Sequence, residues 1–202
     1  MAGTEIVLGS ASPSRALVLR NAGVSFRIDP PGVDERHLTK EFLAKGASPV
    51  AIGFMLAAEK AKSVSLRARN HGCLIIGADQ ILVCGGKMFD KPATLEAAAV
   101  QLKALRGKRH TLLASLALFR EGKQLHAITD EAHLAMRNFS DAFLDSYLAH
   151  AGERALSSVG AYQLESEGAQ LFEAIEGDFF TILGLPLLPL LAYLRGAGLM
   201  AG

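Results

Sequence analysis

The sequence has almost no net charge, +1 from 21 lysines and arginines against 20 acids over 202 residues, and no run of basic side chains. That excludes a chain built to neutralise a nucleic-acid backbone. It has no apolar run long enough to span a bilayer: the most apolar segment, 182–194, is short and holds Pro186 and Pro189. No basic region precedes the first apolar run, so the beginning is not read as a signal peptide. Cysteine is scarce. Cys73 and Cys84 lie in apolar stretches without metal-site spacing, which reads as two buried thiols in a reducing cytosol. No serine sits in a nucleophile elbow, and His37, His71, His110, His126, His133 and His150 fall in expected loops or long strands. A Ser/His/Asp hydrolase is therefore disfavoured. Repeats, low-complexity stretches and obvious linkers are absent too.

What is present is half apolar and one-fifth charged, a globular composition long enough to bury a core as one large domain or two lobes. The organising stretch is Glu5-Ile6-Val7-Leu8-Gly9-Ser10-Ala11-Ser12-Pro13-Ser14-Arg15. Ile6, Val7 and Leu8 read as a buried strand. Ser12 is suited to cap a helix and Pro13 to open it, with Gly23 as its stop. Small residues, two hydroxyls, free helix N–H groups and the Arg15 cation together suit an anion, phosphate first. The plainer alternative is an ordinary strand–cap–helix junction.

Further along, Val24, Phe26 and Ile28 alternate as a half-buried strand, broken by Pro30-Pro31-Gly32. Val33-Asp34-Glu35-Arg36 then reads as a solvated loop. Ser48-Pro49 opens a second helix running to about Arg69; its lysines, Lys60 among them, suit a helix C-terminal half. In 73–84, apolar β-branched residues flank Gly77-Ala78-Asp79-Gln80 on both sides. A carboxylate there is expensive to bury without a cation, a metal or strong donors, so Asp79 is a candidate for chemistry; the alternative is a turn between two strands. Gly85-Gly86 turns a hairpin, Lys91-Pro92 follows, and Thr94 caps a helix. Two long strands, a helix capped by Ser140, the small polar segment 157–165, a strand at Leu171–Ile175 and a last helix after Gly184-Leu185-Pro186 complete the order. The mixture predicts an α/β fold on a mixed sheet.

Ser-Pro-x-Arg at a helix start, Asp-Glu after a break, Gly-Ala-Asp between strands, Lys-Pro before a helix, then Gly160-Ala161-Tyr162, Gly177-Asp178 and Gly184-Leu185-Pro186 form an ordered set. In that order they resemble the Maf family of nucleoside triphosphate pyrophosphatases, over Val7 to about Leu194. The resemblance implies a single domain over 1–202 with an elongated central mixed sheet, flanking helices and two lobes around a cleft, like inosine triphosphate pyrophosphatases. It implies hydrolysis between the α and β phosphates with a divalent metal, Mg²⁺ or Mn²⁺, in a cytoplasmic protein, often a homodimer. By resemblance, Ser10, Arg15, Lys60, Lys91, Gln80 and Glu165 bind substrate, Asp79 is catalytic, and Glu35 with Asp79 holds the metal. Ser14 stands where the family commonly has a second arginine. Gln80, Glu165 and Leu171-Phe172-Glu173 look more like the subgroup acting on 7-methyl-GTP than the one acting on dTTP and UTP. A nucleotide-binding regulator of septum formation without catalysis, and an interaction scaffold using the apolar C-terminal helix, are the competing expectations.

Overall fold

The computed structural model describes residues 4–201. Its strands are β1 (Ile6–Gly9), β2 (Arg27–Ile28), β3 (Leu74–Cys84), β4 (Lys87–Phe89), β5 (Arg109–Arg120), β6 (Lys123–Met136) and β7 (Phe172–Glu176). The helices are α1 (Pro13–Asn21), α2 (Glu35–Ala44), α3 (Pro49–Ser65), α4 (Leu95–Leu105), α5 (Asp141–Ala151), α6 (Phe179–Ile182) and α7 (Leu187–Gly196). Hydrogen bonds order the strands β2-β1-β3-β5-β6-β7, with β4 on β3. β1 is parallel to β2 and β3, whereas β4 and β7 are antiparallel to their neighbours. The fold is mixed α/β.

The chain forms two compact units, and β3, β5 and β6 contribute residues to each. The first comprises residues up to Asp79, Ala114–Asp130 and those from Leu183 onward. Its core packs Val7, Ile75, Ala117 and Phe119 of the sheet against Ala57, Ala61 and Val64 of α3. The helix starts follow local rules: Ser12 and Ser48 each accept a backbone N–H three residues on, and a proline opens each helix. Asp29, at the end of β2, is buried but bonded by Arg67, Arg69 and Asn70. Those donors hold its carboxyl well below the usual carboxylate range.

The second unit comprises Gln80–Leu113 and Glu131–Ile182. Leu82, Leu102, Leu105, Leu134, Leu144 and Leu171 fill its centre. Thr94 and Ser140 cap α4 and α5 through N–H groups three residues on. His110, 2% exposed, contacts the Tyr162 hydroxyl at 2.7 Å through Nε2 and packs at a tilt on Tyr162 and Phe172. Burial pushes its imidazole down to about 4 and raises the Tyr162 hydroxyl above its ordinary value.

Several expected boundaries move. Asp34-Glu35 is a helix start, because the Asp34 carboxylate accepts the His37 N–H at 3.0 Å and Glu35 suits the first turn. His37 therefore lies on α2 and His150 on α5. α3 ends at Ser65 and is followed by a short 3-10 turn, Ala68–Asn70. β3 runs unbroken through Gly77–Gln80, while the strand expected over 24–28 is only two residues long.

The low His110 value sets a pH dependence. The unfolded imidazole titrates near 6.5 and the folded one near 4. The unfolded state therefore binds the proton first, and stability present above pH 6.5 is lost as pH falls towards 4. The expected loss from pH 7 to pH 5 is about 2 kcal/mol. Urea unfolding of His110→Gln, compared with the parent, is expected to show a flatter profile in that window; parallel profiles would contradict it.

Candidate functional site

The first unit brings five of the expected residues together: Ser10, Arg15, Glu35, Lys60 and Asp79. β1 ends at Gly9, and the chain turns through Ser10 and Ser12 into α1. The Ser10 hydroxyl accepts the Ser12 N–H at 3.2 Å and the Arg15 Nη1 at 3.2 Å. Ser12 accepts the Arg15 N–H. Arg15, on the first turn of α1, also donates Nη1 to the Ala78 carbonyl at 2.9 Å and Nε to the Gly184 carbonyl at 2.8 Å. Burial lowers its pKa from the ordinary value, and the charges of Asp79 and Glu35 raise it again. The guanidinium is thus held by backbone and a hydroxyl on one edge, and its Nη2 has no partner among the described residues. A planar fork fixed on one edge presents the other to an anion.

Asp79 is 5% exposed on β3, so a cation must accompany it. Lys60 supplies that cation from α3. Its ammonium lies 2.7 Å from Asp79 Oδ1 and 2.8 Å from Glu35 Oε2. Here the structure corrects the expectation that Lys60 serves the end of its helix: it is 5% exposed and turned onto two carboxylates. The Lys60 and Asp79 side chains are 6% and 8% exposed, against 53% for Glu35. Glu35 at the start of α2 is therefore the open side of the cluster. Arg15, Lys60, Glu35 and Asp79 sum to zero charge, so any bound polyanion requires further cations.

Among the described residues no group of three or more His, Cys, Asp or Glu side chains is placed to hold a metal. Glu35 and Asp79, which converge on Lys60, would offer carboxylate oxygens, the ligand chemistry that suits a hard divalent ion.

The remaining expected residues belong to the second unit. Gln80 donates its amide nitrogen to the Thr181 and Ile182 carbonyls at 3.2 and 2.9 Å, the end of α6. Its donors are spent on backbone, and its carbonyl Oε1 has no partner among the described residues. Lys91 is exposed in the loop between β4 and α4, and Glu165 is exposed in the turn after Tyr162. Nothing in the sequence announced the bonds from Arg15 to Ala78 and Gly184, since backbone acceptors leave no residue signature. The helical placement of Glu35 did have a signal: Asp34 as cap, with Leu38 and Phe42 four residues apart on one face.

The family model described as Maf-like protein matches residues 5–197. A nucleoside triphosphate pyrophosphatase of Paramagnetospirillum magneticum is 48% identical over 95% of this chain and 98% of its own length. A 7-methyl-GTP pyrophosphatase of Rhizobium etli is 46% identical over 98% of each chain. A solved HAM1 protein from Coxiella burnetii is a distant likeness, with a TM-score of 0.41 and 16% identity over 67% of this chain and 74% of that one.

Removing the Lys60 ammonium strands a buried carboxylate. Lys60→Met keeps the apolar stem and is expected to destabilise the fold by about 3 kcal/mol in urea unfolding at pH 7. Adding Asp79→Asn is expected to recover part of that loss, because the uncompensated charge goes with it. A Lys60→Met variant as stable as the parent would show that the ion pair contributes nothing.

Proposed function

The chain belongs to the Maf-like protein family, and from that premise we propose how it acts as a nucleoside triphosphate pyrophosphatase. Water attacks the α-phosphorus, the bond to the α–β bridging oxygen breaks, and the nucleoside monophosphate and pyrophosphate leave. The observation that carries the reading is the junction of Arg15, Ala78, Asp79, Lys60 and Glu35: a braced guanidinium beside a buried carboxylate that already holds a cation. Its relatives named nucleoside triphosphate pyrophosphatase or 7-methyl-GTP pyrophosphatase cover nearly the whole chain.

A triphosphate brings about four negative charges to a cluster that is neutral before it arrives. The Nη2 edge of Arg15, the Ser10 hydroxyl and the N–H groups at the start of α1 take part of that charge. Lys60 remains on the carboxylates, where its bond to Oδ1 holds the Asp79 side chain in place. The second Asp79 oxygen, Oδ2, then orients the attacking water and accepts its proton. Glu35 and Asp79 are the proposed ligands of Mg²⁺ or Mn²⁺, which when bound neutralises phosphate charge and makes water more acidic. Ser14, where the family commonly has a second arginine, leaves Arg15 as the cation of that turn and increases the need for the metal.

From the second unit we propose Lys91 as a further phosphate cation, and Gln80 and Glu165 as contacts to the base. A carboxylate at 165 accepts from purine N–H groups and attracts a ring made cationic by methylation, which favours 7-methyl-GTP over dTTP and UTP. The competing reading, a nucleotide-binding regulator without catalysis, has no use for a carboxylate buried against Lys60. No helix among the described residues is long and apolar enough to cross a bilayer. A cytoplasmic location and a homodimer complete the proposal by family resemblance.

The test is pyrophosphate release from 7-methyl-GTP, dTTP, UTP and CTP with Mg²⁺ and with Mn²⁺, with 7-methyl-GTP expected to be preferred. Release from none of them defeats the reading. Asp79→Asn, which keeps the shape and removes the charge, is expected to lower kcat at least ~100-fold, whereas Lys91→Ala is expected to act mainly on KM. Near-normal turnover of Asp79→Asn would make Asp79 a structural residue.

A further inference from the structure

We propose that Gly77 is a positioning residue for this reaction: the absence of a side chain at 77 sets the separation of α3 and β3 at which the Lys60 ammonium reaches Asp79. The activity arm of the argument rests on the pyrophosphatase reading, and the geometric arm does not. Gly77 and Asp79 are two residues apart on β3, so their Cα–Cβ directions share one face of the strand. The backbone at 77 does not lie in the left-handed region, so space, not conformation, explains the glycine. A Cβ there would lie 2.4 Å from the Ala57 carbonyl oxygen, 2.6 Å from the Ala61 nitrogen and 2.7 Å from the Ala61 Cβ. The first two are backbone atoms of the helical turn that carries Lys60, and no side-chain rotation relieves them. Ala57 and Ala61 are themselves fully buried, so the helix face meeting the strand is already pared to small residues.

Bringing the 2.4 Å approach to an ordinary contact of 3.4 Å requires α3 to withdraw by about 1 Å. Lys60 leaves from the same turn and is held at 2.7 Å from Asp79 and 2.8 Å from Glu35. The same withdrawal carries its ammonium out of hydrogen-bond range of Asp79, on which it is bonded most closely. Asp79 then keeps its burial and loses the contact that fixes its carboxylate. Gly77 touches no reacting atom; it acts through Lys60.

The experiment is a double-mutant cycle of Gly77→Ala with Lys60→Met, read by pyrophosphate release, alongside a crystal structure of Gly77→Ala. Gly77→Ala is expected to lower kcat about 100-fold, the scale of an ångström's misplacement in a catalytic site. In the Lys60→Met background the same substitution is expected to lower kcat by less than about threefold, because the contact it acts through is already gone. The crystal structure is expected to show Lys60 Nζ beyond about 3.5 Å from Asp79 Oδ1. A Gly77→Ala enzyme within threefold of the parent, losses that multiply in the double variant, or an unchanged distance each overturns the proposal. A parent protein that releases no pyrophosphate defeats the pyrophosphatase reading instead, and the crystallographic distance still decides this one. If Gly77→Ala does not fold, Ala61→Ser adds one atom against the same glycine from the helix side, and the same outcomes decide.

Discussion

The rest of this structure depends on the Lys60 ammonium lying between the carboxylates of Asp79 and Glu35. A lysine and an aspartate this deeply covered are each costly to desolvate, and removing either leaves the other uncompensated. Three elements must arrive together to satisfy them: β3 with Asp79, α3 with Lys60, and the first turn of α2 with Glu35. The interaction is therefore a constraint on the fold as much as a feature of the site. It also divides the two acids. Asp79 is enclosed, and Glu35 faces solvent.

In the same unit, Arg15 is braced by backbone and by a hydroxyl. Its Nε and Nη1 hydrogens go to the Gly184 and Ala78 carbonyls and the Ser10 hydroxyl. A guanidinium so anchored loses little further freedom when it engages phosphate, and a preorganised donor is worth more in the transition state than a mobile one. By holding Ala78, it also holds the backbone next to Asp79. Under the proposed function, the neutral sum of Arg15, Lys60, Glu35 and Asp79 requires cations beyond this cluster for a polyphosphate.

The second unit is stabilised differently. Its core is a packed apolar cluster joined to a buried His110–Tyr162 pair, with Phe172 against both rings. The segment 157–165, small and polar in sequence, is partly built into that core: Val159, Gly160, Ala161 and Tyr162 are buried, and the Tyr147 hydroxyl bonds the Ala161 carbonyl. Ala161 adopts a positive φ of 61°, a strained state for a residue with a Cβ, which persists only where the surroundings over-determine it. The exposed Glu165 lies three residues beyond this buried segment.

The sequence by itself determined the elements whose causes are local. Ser12, Ser48, Thr94 and Ser140 cap helices because a hydroxyl needs only the N–H three residues on, and Gly85-Gly86 turns a hairpin because glycine accepts positive φ. The dispersed motifs likewise sufficed to identify the family. Tertiary structure alone decided what those residues do to one another. That β3 runs straight through Asp79, that Lys60 turns inward instead of serving the end of its helix, that Arg15 spends its hydrogens on backbone carbonyls, and that Gly77 admits a helix backbone are outcomes of packing. Each joins positions far apart in the chain through backbone atoms or small side chains, and neither a carbonyl nor a missing Cβ carries any mark of its partner in the order of the residues.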